Sequence, residues 1–295
     1  MKQIRIFLLI AALMLPLCVG AYAQADDGAV VIDTAEVGDT QMAYCRFGTG
    51  EKDMVILPGV SVTPVTASGE LIAQSFAQFA DEYTVWLFDV PDVLPEDCTV
   101  DALADETAAV MQSLGIEHAC IFGASMGGMM AQCIAAEYPE LAGRLVLGST
   151  EAYCCDVMNE RVSEWLALAQ AGSGEELAMT MARDIYTPEI VEANLEAFEA
   201  QGQAYTDEQL QRLAVLANAL IQFDIRERLD NITCPVLVLA CEGDEIMPCD
   251  VQRQLAEAVD AEYYCYGPEY SHAVYDEAED YHDRMYDFFT RNPSE

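Results

Sequence analysis

The chain predicts an α/β fold, a mostly parallel central sheet flanked by helices, with an all-helical cap inserted in its second half. Three observations carry this. Short apolar runs suited to buried strands alternate with helix-length amphipathic segments from Met54 onward. One such run, Ala119–Ala124, leads straight into Gly123-Ala124-Ser125-Met126-Gly127 and then into an apolar segment of helical character. Finally, Glu151 to Ile225 carries helix signals only, and strand signals resume after it.

The elements follow in order. Lys2 and Arg5 precede the apolar stretch Ile6–Val19, about fourteen residues, which is short for a membrane span and right for a secretory signal. Ala21-Tyr22-Ala23 supplies a small-residue cleavage site, with Ala25 as a second choice, so export from the cytoplasm is expected. The chain then divides into a signal peptide (1–23), a first core part (24–150), a helical cap (151–226) and a second core part (227–295). A hairpin is expected over Ala29–Arg46, turning at Gly38-Asp39. Met54–Leu57 is the first central strand and ends in Pro58-Gly59-Val60. A helix over Gly69–Ala80 would bury Leu71, Ile72, Phe76 and Phe79, which recur at helical spacing. Tyr83–Phe88 is a strand, Asp101–Leu114 a helix closed by Gly115, and Arg144–Leu147 a strand.

Within the cap, Gly172 stops a helix over Glu160–Ala171, Glu175–Asp184 forms another, and Thr187-Pro188 opens a third with proline in its first turn. Thr206-Asp207-Glu208-Gln209 is a capping-box signature. Met158, Trp165, Leu166, Met179 and Met181 either line the underside of the cap or pack within it. Cys234–Ala240 and Glu262–Tyr266 read as the last strands, and an acid-rich helix is expected from about Asp276.

The chemistry centres on Ser125. A serine on a tight strand-to-helix turn is held strained with its hydroxyl exposed, and flanking glycines let strand and helix approach. Such a serine needs a base and an orienting acid. His272 and Asp244 both follow strand ends, where open parallel sheets place their ligand sites. Glu242 and Asp250 are alternatives for the acid. His118 precedes the Ser125 strand and belongs at the opposite sheet edge, and His282 falls in the last helix, where it should be solvated. An oxyanion would be held by the N–H of Met126 and an N–H of the loop after the first central strand, from Val60.

Composition narrows the function. The formal charge is −38, and loss of Lys2 and Arg5 with the signal makes it −40, leaving Lys52 as the one lysine. Such a field repels nucleic acid and anionic membranes and leaves neutral or cationic small molecules as substrates. No cysteine or histidine spacing resembles a zinc site, and no G-x-G-x-x-G is present. Cys241 and Cys249 bracket the Asp244 loop, either as a short disulfide or as two free thiols.

On Leu57-Pro58-Gly59, Gly123–Gly128, Asp244-Glu245-Ile246-Met247-Pro248 and His272, the chain resembles the α/β-hydrolase superfamily over essentially its whole mature length. The resemblance implies a Ser-His-Asp hydrolase with neither metal nor organic cofactor. Two segments depart from it: Pro58 replaces the usual histidine before the oxyanion glycine, and Phe88–Pro95 replaces the usual glycine-rich turn. Both border the acyl pocket, so substrate class does not carry over. The expected activity is cleavage of a small neutral carboxylic ester or related acyl compound through an acyl-enzyme. The alternatives are the same triad acting on a C–C bond, a peptide bond or a peracid, acyl transfer, and a non-catalytic binding protein on this fold.

Overall fold

A computed structural model describes residues 29–291 of the chain; the expected signal peptide lies outside the described residues. Eight strands form one sheet: β1 (Val31–Val37), β2 (Thr40–Phe47), β3 (Lys52–Leu57), β4 (Tyr83–Phe88), β5 (Ala119–Ala124), β6 (Ala142–Gly148), β7 (Val236–Cys241) and β8 (Glu262–Tyr266). Their order is β1-β2-β4-β3-β5-β6-β7-β8. The β1–β2 and β2–β4 pairs are antiparallel and every pair from β4 to β8 is parallel.

The central strands are apolar on both sides because both faces are covered. Their side chains alternate between two cores. Val55, Leu57 and Ile121 join one, with α2 (Val100–Ser113), α3 (Met126–Glu137) and much of the cap. Met54, Ile56 and Phe122 join the other, with α1 (Gly69–Ser75) and α11 (Tyr281–Thr290). Two expected helices differ. The segment from Gly69 ends as a helix at Ser75 and tightens into a 3-10 turn over Ala77–Phe79. That turn sets Phe76 against Phe122 and Phe79 against Tyr83. After α9 (Cys249–Ala258) and β8, the C-terminal helix is two pieces, α10 (Val274–Glu277) and α11, because Ala278 adopts extended backbone and Tyr281 turns fully inward.

Between β6 and β7 lie α4 (Asp156–Gln170), α5 (Gly174–Ile185), α6 (Pro188–Ala193), α7 (Leu195–Ala204) and α8 (Asp207–Ile221). The capping box at Thr206 and Gln209 is formed in full. Met158 and Trp165 are buried with Leu213, Leu216 and Leu220 of α8, so they hold the cap together. The cap is tied to the sheet edge at three places. Arg212 of α8 donates to the carbonyls of Val90, Pro91 and Asp92 after β4. Ser271 Oγ and Ala273 N both donate to Ile185 O at the end of α5. Arg161 of α4 pairs with both Asp184 of the cap and Glu245 of the loop after β7. Among the described residues, no helix is long and apolar enough to cross a membrane.

Candidate active site

Ser125 sits between β5 and α3 with φ 54° and ψ −121°, a left-handed conformation that strains any residue with a Cβ. The turn is possible because of its glycines. A methyl group at Gly127 would lie 1.8 Å from Leu57 O, and one at Gly123 would lie 2.4 Å from Gly127 O. The loop after β3 approaches the serine just as closely: a Cβ on Gly59 would lie 3.2 Å from Ser125 Cβ. Met126 opens α3, so its N–H falls outside the helical ladder. Val60 follows Gly59 on the facing loop, and among the described residues neither N–H is paired with a backbone acceptor.

His272 and Asp244 meet at the same end of the sheet. Asp244 follows β7 and His272 follows β8, and both are buried. His272 Nδ1 lies 3.0 Å from Asp244 Oδ1 and 2.9 Å from Oδ2. A carboxylate only accepts, so Nδ1–H donates and Nε2 is left with its lone pair. Asp244 Oδ1 also accepts from Ile246 N at 3.0 Å and Met247 N at 2.9 Å, and Oδ2 from Gln252 Nε2 at 3.2 Å. Four donors fix this carboxylate in place. Among the described residues, His272 pairs with neither Glu242 nor Asp250.

The residues after β6 join the serine and histidine halves. Ser149 Oγ donates to His272 O at 2.7 Å, and Thr150 Oγ1 donates to Ser125 O at 2.8 Å. Glu151 follows, fully buried; its Oε1 accepts from Cys155 N at 3.0 Å and its Oε2 has no partner. Burial pushes its carboxyl up to about 7; Asp244 adds to the rise and His272 opposes it. Ser149, Thr150, Glu151 and Gln252 were not singled out by the sequence. The available signal was position just past a strand end, without a motif.

His118 lies at the N-terminal end of β5, the end opposite Ser125, as expected. His282 departs from expectation. It is half-buried: its ring packs on Phe76 with centroids 4.4 Å apart, and Nδ1 lies 3.1 Å from Ser75 O. Burial pushes its pKa down to about 4. The reason is rotational position on α11, which faces His282 to the core rather than to water.

A cavity of about 120 Å³ adjoins the serine turn. Gly59, Val60 and Ala124 form one end, and Phe76, Tyr186, Phe198 and Tyr275 line its body. Of the five cap residues considered for the underside, Met181 borders it. Among the described residues, no group of three or more His, Cys, Asp or Glu side chains is arranged to hold a metal ion.

The thiols flanking the acid loop do not pair with each other. Cys241 Sγ faces Gly267 O, whereas Cys249 Sγ lies 2.6 Å from Cys265 Sγ on β8. Oxidation by a small-molecule disulfide is therefore expected to join Cys249 to Cys265, each sulfur losing its hydrogen. The bond would close a separation of 16 residues, worth about 3 kcal/mol in the chain-entropy model. Non-reducing peptide mapping checks this; Cys249 linked to Cys241, or Cys249 and Cys265 recovered as separate thiols after oxidation, would contradict it.

A model described as "Alpha/beta hydrolase family" matches residues 54–284. The chain is 27% identical over 222 residues to 3-oxoadipate enol-lactonase 2 of Acinetobacter baylyi, covering 72% of this chain and 80% of that protein. It is 26% identical over 264 residues to a 2-hydroxy-6-oxononadienedioate/2-hydroxy-6-oxononatrienedioate hydrolase of Paraburkholderia phymatum, covering 85% and 91%. Its fold matches an alpha/beta hydrolase from a Medee basin deep-sea metagenome library with a TM-score of 0.79, at 21% identity over 88% of this chain and 98% of that one.

Proposed function

Because the chain belongs to the alpha/beta hydrolase family, we propose that it cleaves a small carboxylic ester or related acyl compound, with Ser125 as nucleophile, His272 as base and Asp244 as the acid that orients the imidazole. The observation that carries this reading is the buried His272–Asp244 pair at the same sheet edge as the strained Ser125. In this reading His272 Nε2 takes the Ser125 proton as Oγ attacks the carbonyl carbon. The Met126 and Val60 N–H groups receive the oxyanion, and the N-terminal end of α3 adds its dipole. His272 returns the proton to the leaving alkoxide. A water molecule then repeats the attack on the acyl-enzyme, with His272 again as base. Asp244 stabilises the imidazolium without taking its proton.

The similarity to an enol-lactonase supports an ester-type bond, since a lactone is an internal ester. The charge of −38 supports an uncharged or cationic substrate over an anionic one. Export belongs to the same proposal and rests on Lys2, Arg5, the apolar run Ile6–Val19 and Ala21-Tyr22-Ala23.

Fluorophosphonate labelling tests the nucleophile, and a panel of p-nitrophenyl esters of increasing acyl length tests the bond. The expected result is a single label on Ser125 and hydrolysis that peaks at short to medium chains. Labelling elsewhere, or a labelled enzyme inert to every ester, would remove the ester reading.

A further inference from the structure

Asp276 is the residue that neither folding nor the proposed triad explains. It lies on α10, four positions after His272, half-buried as a residue but with its Oδ2 shut off from solvent. It borders the same cavity that reaches Gly59, Val60 and Ala124 beside Ser125. Its Oδ2 is buried without a hydrogen-bond partner, and among the described residues its side chain pairs with none. Buried polar groups in folded proteins are almost always satisfied, so each exception calls for a reason. An unpartnered buried carboxyl costs stability, and an apolar residue there would remove that cost. Asp276 therefore answers to something that enters the cavity.

The cavity also says in which form the carboxyl acts. Asp244 is surrounded by four donors: Ile246 N, Met247 N, Gln252 Nε2 and His272 Nδ1. Asp276 has no such donor, and no lysine or arginine lines the cavity. The walls are mostly apolar, with Phe76, Phe122, Phe198 and the rings of Tyr186 and Tyr275, and Gln201 and His282 also line the cavity without a hydrogen bond to Asp276 among the described residues. Burial raises its pKa well above the ordinary carboxylate value, with the nearby Glu277 charge adding to the shift. A neutral acid in an apolar site offers one strong O–H donor, the same physical arrangement by which a protonated aspartic acid serves in ketosteroid isomerase. The space is several times the roughly 10–15 Å³ that one water requires, so it suits part of a substrate.

We propose that this cavity binds the acyl portion of the substrate and that Asp276 recognises, as a hydrogen-bond donor, an uncharged oxygen carried on that acyl chain at its far end. The preferred substrate is thus an ester of an oxygenated short-chain acid, of the oxo-acyl type, rather than of a plain fatty acid. This rests on the hydrolase reading above and adds to it a specificity-determining residue.

The test compares p-nitrophenyl 4-oxopentanoate, 5-oxohexanoate and 6-oxoheptanoate, each with the branched alkyl ester in which a CH–CH₃ replaces the ketone. In the native enzyme kcat/KM should favour the oxo ester at one chain length. Asp276→Leu should lower that ratio about five- to tenfold, the size of one hydrogen bond in a closed site. The readout is the oxo-to-alkyl ratio measured within each variant, so a change common to both esters cancels. Asp276→Asn, which keeps a donor, should retain part of the preference. Thermal unfolding of Asp276→Leu should occur at or above the native temperature. An unchanged ratio in Asp276→Leu would overturn the proposal. So would a native preference for the 4-(trimethylammonio)butanoate ester that Asp276→Leu abolishes, since the carboxyl would then act as an anion. Calorimetric binding of methyl 5-oxohexanoate to Ser125→Ala, with and without Asp276→Leu, reads the site without turnover. Binding that Asp276→Leu weakens, in a protein that hydrolyses no ester, would keep the subsite and remove the hydrolase reading; binding that Asp276→Leu leaves unchanged would remove the subsite.

Discussion

Ser125→Ala is expected to lower kcat by roughly 10³-fold or more while the protein remains folded, because members of a triad act as one unit. Alanine occupies the same strained backbone position at φ 54°, so the substitution removes the hydroxyl and little else. His272→Ala should be about as damaging. The informative measurement is the double variant. If Ser125 and His272 act in one proton transfer, removing the second partner costs almost nothing further. Two losses that multiply would mean independent roles and would sink the assignment. His118→Ala is the proper control, since His118 lies at the far edge of the sheet. His282→Ala is not a neutral control: its ring packs on Phe76 and borders the cavity, so its loss would enlarge that cavity.

Much of this arrangement was legible in the sequence because the strongest constraints there are local. Ser125 is surrounded by glycines that a tight turn demands, and the collisions a methyl would meet at Gly123 and Gly127 show why. Asp244 and His272 each follow an apolar strand, and a parallel sheet delivers all such ends to one edge. The cap announced itself as a long interval without strand periodicity. What stayed hidden depends on contacts between distant segments. Ser149 and Thr150 are unremarkable polar residues until β6 lies beside β5 and β7. His282 reads as a surface residue among acidic neighbours, but its side is set by where α11 rests on Phe76. Cys241 is the nearer cysteine to Cys249 in sequence, but the sulfur of Cys249 instead meets Cys265, 16 residues on, which β8 carries alongside β7.

The largest expected effect on stability belongs to Glu151. Burial pushes its carboxyl up to about 7 in the folded chain, from the ordinary 4.5 of an exposed glutamate. The folded state therefore holds this proton more tightly than the unfolded state does. Stability from the group is complete below about pH 4.5 and is lost as the pH rises through about 7. A shift of that size corresponds to about 3 kcal/mol. Glu151→Gln mimics the protonated form and keeps an acceptor for Cys155 N, whose bond to Oε1 is 3.0 Å. Relative to the native protein, the variant should therefore gain about 3 kcal/mol between pH 5 and pH 8.5, read as the change in urea midpoint at the two pH values. A native-to-variant difference that does not move with pH would show that Glu151 ionises without penalty. Activity should run the other way. In the proposed mechanism, ionised Glu151 would attract the imidazolium that His272 becomes during attack, the same coupling by which His272 lowers the Glu151 pKa. Glu151→Gln should accordingly be the more stable protein above neutral pH and the less active one, with kcat reduced several-fold at pH 8.5 and little changed at pH 5.5, where the native glutamic acid is already protonated.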